Sequence, residues 1–163
     1  MPVFGAPRSF HNKFKFLFAI DRISYAGFQK VSEISAELAT IAHYEGGTLV
    51  ADKSPGRLTF PPITAERGST QDLELYNWFE EGAKASAGLG GQGRIDPLYK
   101  RMAELVQLDR NDAVLQRWTL HEAYCSKFVA GEWDNNSDEK VITSVTIEYK
   151  FFEPAIRPVL IRL

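Results

Sequence analysis

Hydrophobic and polar residues alternate at period two along several stretches of this chain, and fall at helical spacing along one. "KFKFLFAID" sets Phe14, Phe16, Phe18 and Ile20 on one side and Lys13, Lys15 and Asp21 on the other, which predicts a strand with one buried face. A turn at Asp21 and Arg22 leads into "AGFQKVSEI", where Gly27 interrupts a second apolar pattern and points to a bulge or a close backbone approach. From Ile34 to Tyr44, alternate residues predict one long strand with small side chains on both faces. "EGGTLVADKSPG" holds two turn signals, Gly46-Gly47 and Pro55-Gly56, as in the arm of a long hairpin or a protruding loop. A return strand is expected over Arg57–Arg67, with Pro61 and Pro62 confining its first half to an edge or a bend.

The period changes in "GSTQDLELYNWFEEGA", where Leu75, Trp78 and Phe79 fall at i, i+3 and i+4. This predicts one amphipathic helix, with Ser69 as N-cap, Asp72 three residues on and Gly82 as the stop. Residues 83–97 are rich in Gly, Ala and Ser and end in "DP", the composition of a loop or insertion. Leu98, Met102 and Leu105 would suit a helix starting at Asp96-Pro97, but "LDRNDAVL" reads as a tight turn between two apolar runs. Strands at about 103–108 and 113–124 are therefore preferred. "CSKFVAGEW", a polar turn at "DNNSDEK" and "VITSVTIEYKFF" continue the β pattern. The order is strands, one central helix, strands.

At 163 residues, 44% hydrophobic and 25% charged, the chain has the length and composition of one globular domain. A net charge of -2 argues against a protein that tracks nucleic-acid phosphates. No apolar run approaches the ~20 residues of a membrane helix, and "MPVFGAPRSFHNKFKF" lacks the apolar region of a secretory signal, so synthesis in the cytosol and no membrane partner are expected. "GLGGQG" at 88–93 spells G-x-G-x-x-G, yet it follows a helix instead of a strand and precedes a proline, so a loop is expected and a dinucleotide site is not. His11, His43 and His121 lack second ligands at metal spacing, and Cys125 lacks a nucleophile signature and reads as a small buried residue. Glu80-Glu81 and Asp138-Glu139 read as solvated faces, and "NNS" at 135–137 matters only in a glycosylating compartment. No enzyme, cofactor or metal site is expected.

What remains is a surplus of strand edge, which invites pairing and points to an assembly module. The order of motifs resembles the tail tube proteins of contractile phages and related contractile injection systems. The matching stretches are "FKFLFAID", "AGFQKVS", "YEGG", "KSPG", "ITAERGSTQDLELYNW", "WTLHEAYCSKF" and "SDEKVITSVTIEY", spanning about residues 12–149. The resemblance implies a β-sandwich or barrel with one flanking α-helix, filling residues 1–163 as a single domain. It implies six copies in a ring, and rings stacked into a hollow tube that carries DNA or protein cargo without sequence-specific binding. Its partners would be further copies, a contractile sheath protein, and baseplate and tail-terminator proteins. The setting would be a virion tail or injection particle assembled in the bacterial cytoplasm.

By position, Glu45 to Gly56 would form the arm that reaches a neighbour, with Glu45, Gly46, Gly47, Lys53, Pro55 and Gly56 as its interface residues. Leu75, Trp78 and Phe79 would fix the helix to the sheet, and the strands around Ile34–Tyr44 and Arg57–Arg67 would present small or polar side chains to the lumen. A long connection at about 83–100 and an extension at about 150–163 depart from the plainest members. They leave open a tube-initiating or capping paralogue at the baseplate, and from another class a monomeric β-barrel holding a small ligand.

Overall fold

The computed structural model describes residues 12–23, 27–83 and 99–155. One strand, β7 (Val114–Val129), belongs to two sheets. Its first half lies between β6 (Arg101–Leu108) and β9 (Phe151–Pro154), and its second half pairs with β8 (Ile142–Glu148). Outward from these, β1 (Phe16–Ile20) pairs with β6, β5 (Ile63–Gly68) with β8, and β2 (Lys30–Val31) with β5. All pairs are antiparallel, in the order β1-β6-β7-β8-β5-β2. Two register shifts let β7 turn the corner, one opposite Arg101–Ala103 and one at Cys125–Lys127. Glu122, at the first, takes a φ of 52°, the local strain by which a bulge bends a strand. A break expected near residue 124 is thus a bend inside one sixteen-residue strand.

Alternation along β5 and β8 places Ile63, Ala65, Val145 and Ile147 in the core, where they meet Phe18, Ile20, Ala103, Leu120, Ala123 and Cys125. Arg67 is buried beside them, so the inward face of the second half of the expected Arg57–Arg67 strand belongs to the body core. Phe60, Pro61 and Pro62 break that expected strand in two, and the Phe60 ring packs edge-on against Phe152 at 5.5 Å. Phe14 is 68% exposed, so the buried face of the first strand starts at Phe16. Gly27 takes a φ of 57°, a conformation open to glycine, just before β2.

The helix α1 (Glu74–Ala83) packs on β7 through Leu75 and Trp78, both about 1% exposed, with Phe79 half-buried against the same core. Trp78 Nε1–H donates to the Tyr99 carbonyl at 2.9 Å. The Arg101 guanidinium lies 5.9 Å from the Trp78 ring centroid and donates to Glu81 at 2.8 Å. Arg67, on β5, faces Asp72 with Nη1 3.6 Å from Oδ2 and Nη2 donating to its carbonyl at 3.3 Å. Two buried arginines therefore tie the two ends of the helix to two strands. The cap is Asp72, whose Oδ1 accepts from the Glu74 N–H at 2.9 Å, and not the expected Ser69, whose N–H is taken by Val141 in the sheet. Gly82 sits within the last helical turn.

Two outcomes follow from this packing. Trp78→Ala removes a buried ring, its hydrogen bond and its cation contact, and should cost about 3–5 kcal/mol and lower Tm by about 10 °C in a thermal melt. Burial pushes the Cys125 thiol up to about 12 from 9.0. Its thiolate fraction at pH 8 is then about a thousandfold below that of an unshifted thiol, so Ellman's reagent should label it only after unfolding.

Candidate assembly surface

β3 (Glu37–His43) and β4 (Asp52–Thr59) pair only with each other, forming a two-stranded sheet outside the body. The pairs Leu38–Leu58, Thr40–Pro55 and Ala42–Lys53 put those six side chains on one face. Glu37, Thr59, Ile41, Ser54, His43 and Asp52 take the other. Between Leu38 and Thr40 the register shifts by one, so that Gly56 and Arg57 stand opposite Ala39 as a bulge. A Cβ on Gly56 would lie 3.2 Å from both Ile41 Cγ1 and the Ala39 carbonyl oxygen, so the bulge is closed around a residue without one.

Residues 44–51 join the strands. Thr48 N–H donates to the Glu45 carbonyl at 3.2 Å and its hydroxyl to the same oxygen at 2.8 Å, with Gly47 at φ 91° between them. A positive φ at the third position is the type II pattern, which the Gly-Gly pair supplies. Of the expected arm residues, Glu45, Gly46 and Gly47 lie in this turn, whereas Lys53, Pro55 and Gly56 lie in β4. Pro55-Gly56 is therefore no turn, and the protruding unit is residues 37–59 in place of 45–56.

The hairpin exposes apolar surface that a monomer would bury. Leu38 is 58% exposed, Leu58 57% and Ile41 56%. Sequence reading did not single these residues out, because the partnership of Leu38 and Leu58 depends on a register that the bulge resets. Leu75 and Trp78 sit in the body core, with Phe79 half-buried against it.

The remaining candidates stand apart from one another. His43 is exposed on β3, and His121 stacks on Phe151 at 4.5 Å with Nε2 2.8 Å from Glu153. His11, the segment 88–93, most of the 83–100 connection and residues 156–163 lie outside the described residues. Among the described residues, no group of three or more His, Cys, Asp or Glu side chains could hold a metal ion. No described helix is long and apolar enough to cross a membrane.

A nearly closed β body with one helix and a detached hairpin defines the class of protein, a mainly β structural subunit. The chain belongs to the T4-like virus tail tube protein gp19 family, whose profile it matches over residues 12–153. This family is structural and not enzymatic. Solved structures share the fold at low identity. One chain in the anti-feeding prophage tube-terminating cap superposes with a TM-score of 0.79 at 17% identity, covering 96% of this chain and 100% of that one. A chain of the PVC extracellular contractile injection system, from its sheath-tube complex in the extended state, gives 0.71 at 18%, covering 89% and 90%. Hcp1 from Flavobacterium johnsoniae gives 0.54 at 17%, covering 86% and 94%. A search of curated protein sequences finds no match.

Because the hairpin is detached from the core, Leu38→Lys with Leu58→Lys should leave the subunit's far-UV circular dichroism unchanged and its Tm within about 2 °C, as surface substitutions do. A larger loss would mean that the hairpin is part of the folding unit.

Proposed function

We propose that this chain is the subunit of a contractile tail's inner tube, with six copies closing into a ring and rings stacking into a hollow conduit within a sheath. The observation that carries the reading is the hairpin of residues 37–59. A lone two-stranded sheet is marginally stable in water, and this one also exposes two leucines side by side. Its free edges and apolar face acquire partners when neighbouring copies close around it.

The Leu38–Leu58 face then seats on the next copy, with Glu45, Gly46 and Gly47 forming the tip and Lys53, Pro55 and Gly56 the returning strand. The opposite face, with Glu37, Ile41, Ser54, Thr59, His43 and Asp52, turns to the bore. Two carboxylates on a mainly polar wall suit passage of DNA or protein, because dense positive charge there would hold a polyanion. Membership of the tail-tube family, and structural relatives taken from a sheath-tube complex and a tube cap, support sheath, baseplate and terminator proteins as partners. The same membership supports placing the subunit in a virion tail or injection particle assembled in the bacterial cytoplasm.

The test compares purified wild-type chain with the Leu38→Lys, Leu58→Lys double variant by negative-stain microscopy. Rings or tubes are expected from the wild type and none from the folded variant. Tubes of normal appearance from the variant would remove the hairpin from the interface.

A further inference from the structure

Two surfaces of the body, neither part of the hairpin, complement each other. The first is the loop between β7 and β8. It carries Glu132, Asp134, Asp138 and Glu139, and from it Trp133 projects, 73% exposed. The loop is held in shape by its own bonds: Asn136 N–H donates to Asp134 Oδ1 at 3.0 Å, and Ser137 N–H to the Asp134 carbonyl at 3.2 Å. Gly131 roots it at a φ of 149°, where any Cβ would collide with Val141. A large aromatic held out on an ordered acidic loop has the character of an interface anchor.

The second surface is a groove of about 430 Å³ where the sheet curls back on itself, lined by residues of or next to both end strands, β1 and β2. Phe16, Val31 and Leu105 give it an apolar floor, and Lys13 and Lys30, both exposed, stand at its rim. Among the described residues, Glu33 is its only acidic lining residue. Nearby Lys15 is engaged with Asp112 at 2.7 Å.

Level matters as well as charge. Lys30 pairs with Glu66, Glu66 with Ser144, and Ser144 with Val129, which puts the four on one row across the sheet. The acidic loop leaves the sheet just beyond Val129. Groove and loop therefore stand at one height on opposite flanks of the β2-β5-β8-β7 sheet, about 14 Å apart at the usual strand spacing. A contact between different patches at equal height is what rotation about an axis along the strands generates, and such contacts close into a ring when the rotation per copy divides a full turn.

We infer that the Trp133 loop of one copy docks in the Lys13–Lys30 groove of the next, forming the lateral contact of the ring. The indole covers Phe16, Val31 and Leu105, while Glu132 and Asp134 meet the two lysines. This rests on the tube-subunit reading and adds the lateral contact to it.

The test is a charge swap in the full-length chain, scored by sedimentation velocity and negative-stain microscopy. Glu132→Lys with Asp134→Lys, and separately Lys13→Glu with Lys30→Glu, should each lower the ring fraction about tenfold or more, the factor equivalent to 1.4 kcal/mol. The fourfold variant carrying both reversals should recover rings. A wild-type chain that forms rings while both reversed variants form them equally well overturns this contact and leaves the tube reading standing. A wild-type chain that stays monomeric at high concentration defeats both. Should the reversals impair folding, Asp134→Cys with Gln29→Cys, Gln29 also lining the groove, gives an independent readout. A ladder of disulfide-linked oligomers is expected under mild oxidation, with buried Cys125 silent, and rings without a ladder would overturn the contact.

Discussion

The backbone hydrogen bonds of β7 are the constraint on which the rest of the body depends. Half of this strand serves one sheet and half the other, so it must bend, and the bulges at 121–122 and at 126 supply the bend. β8 and β9 follow the same corner on its outer side, interrupted at Tyr149 and Lys150. Without the bend the sheet would be open and flat; with it, β1 and β2 come round to share one groove. Most buried side chains of the sheet point into the space so enclosed, Ile63, Ala65, Ala103, Leu120, Val145 and Ile147 among them.

The helix completes that space from outside the sheet, and its attachment is more polar than its apolar stripe suggests. Leu75 and Trp78 fill the core, yet Arg67 and Arg101 are buried next to them, each paired with an acid of the helix or its cap. Buried charges cost solvation, so their partners are needed more than the pairs themselves are stabilising. The arginines fix where the helix lies along β5 and β6, a role that leucine at those positions would leave unspecified.

The hairpin follows the opposite logic. Its register is well defined, its turn is built from the glycines it requires, and nothing of it enters the core. A segment that is ordered, exposes apolar side chains and is detached belongs energetically to an assembly instead of a monomer. The division of labour is then clear in physical terms: the bent sheet and helix make the subunit, and the hairpin faces outward to what the subunit joins.

Much of this was legible in residues alone. The alternation at Phe14–Ile20, the β-branched and aromatic density of "VITSVTIEYKFF" and the helical spacing of Leu75 and Trp78 indicated the mainly β class, the single helix and its buried face, because side-chain period and propensity are local properties of the chain. The order of weak motifs pointed to the tail-tube family. The Gly46-Gly47 turn was equally readable, since Gly47 supplies the positive φ that the turn requires. Other features depended on strand partners distant in sequence. Pro55-Gly56 looked like a turn and is part of a bulged strand, Asp72 caps the helix in place of Ser69 because the helix starts at Glu74, and Arg67, at the end of an expected strand, is buried and paired with Asp72. The facing of Leu38 and Leu58, and the shared row of Lys30 and Val129, arise from pairing registers that only tertiary structure decides, because a shift of one residue turns every side chain to the other face.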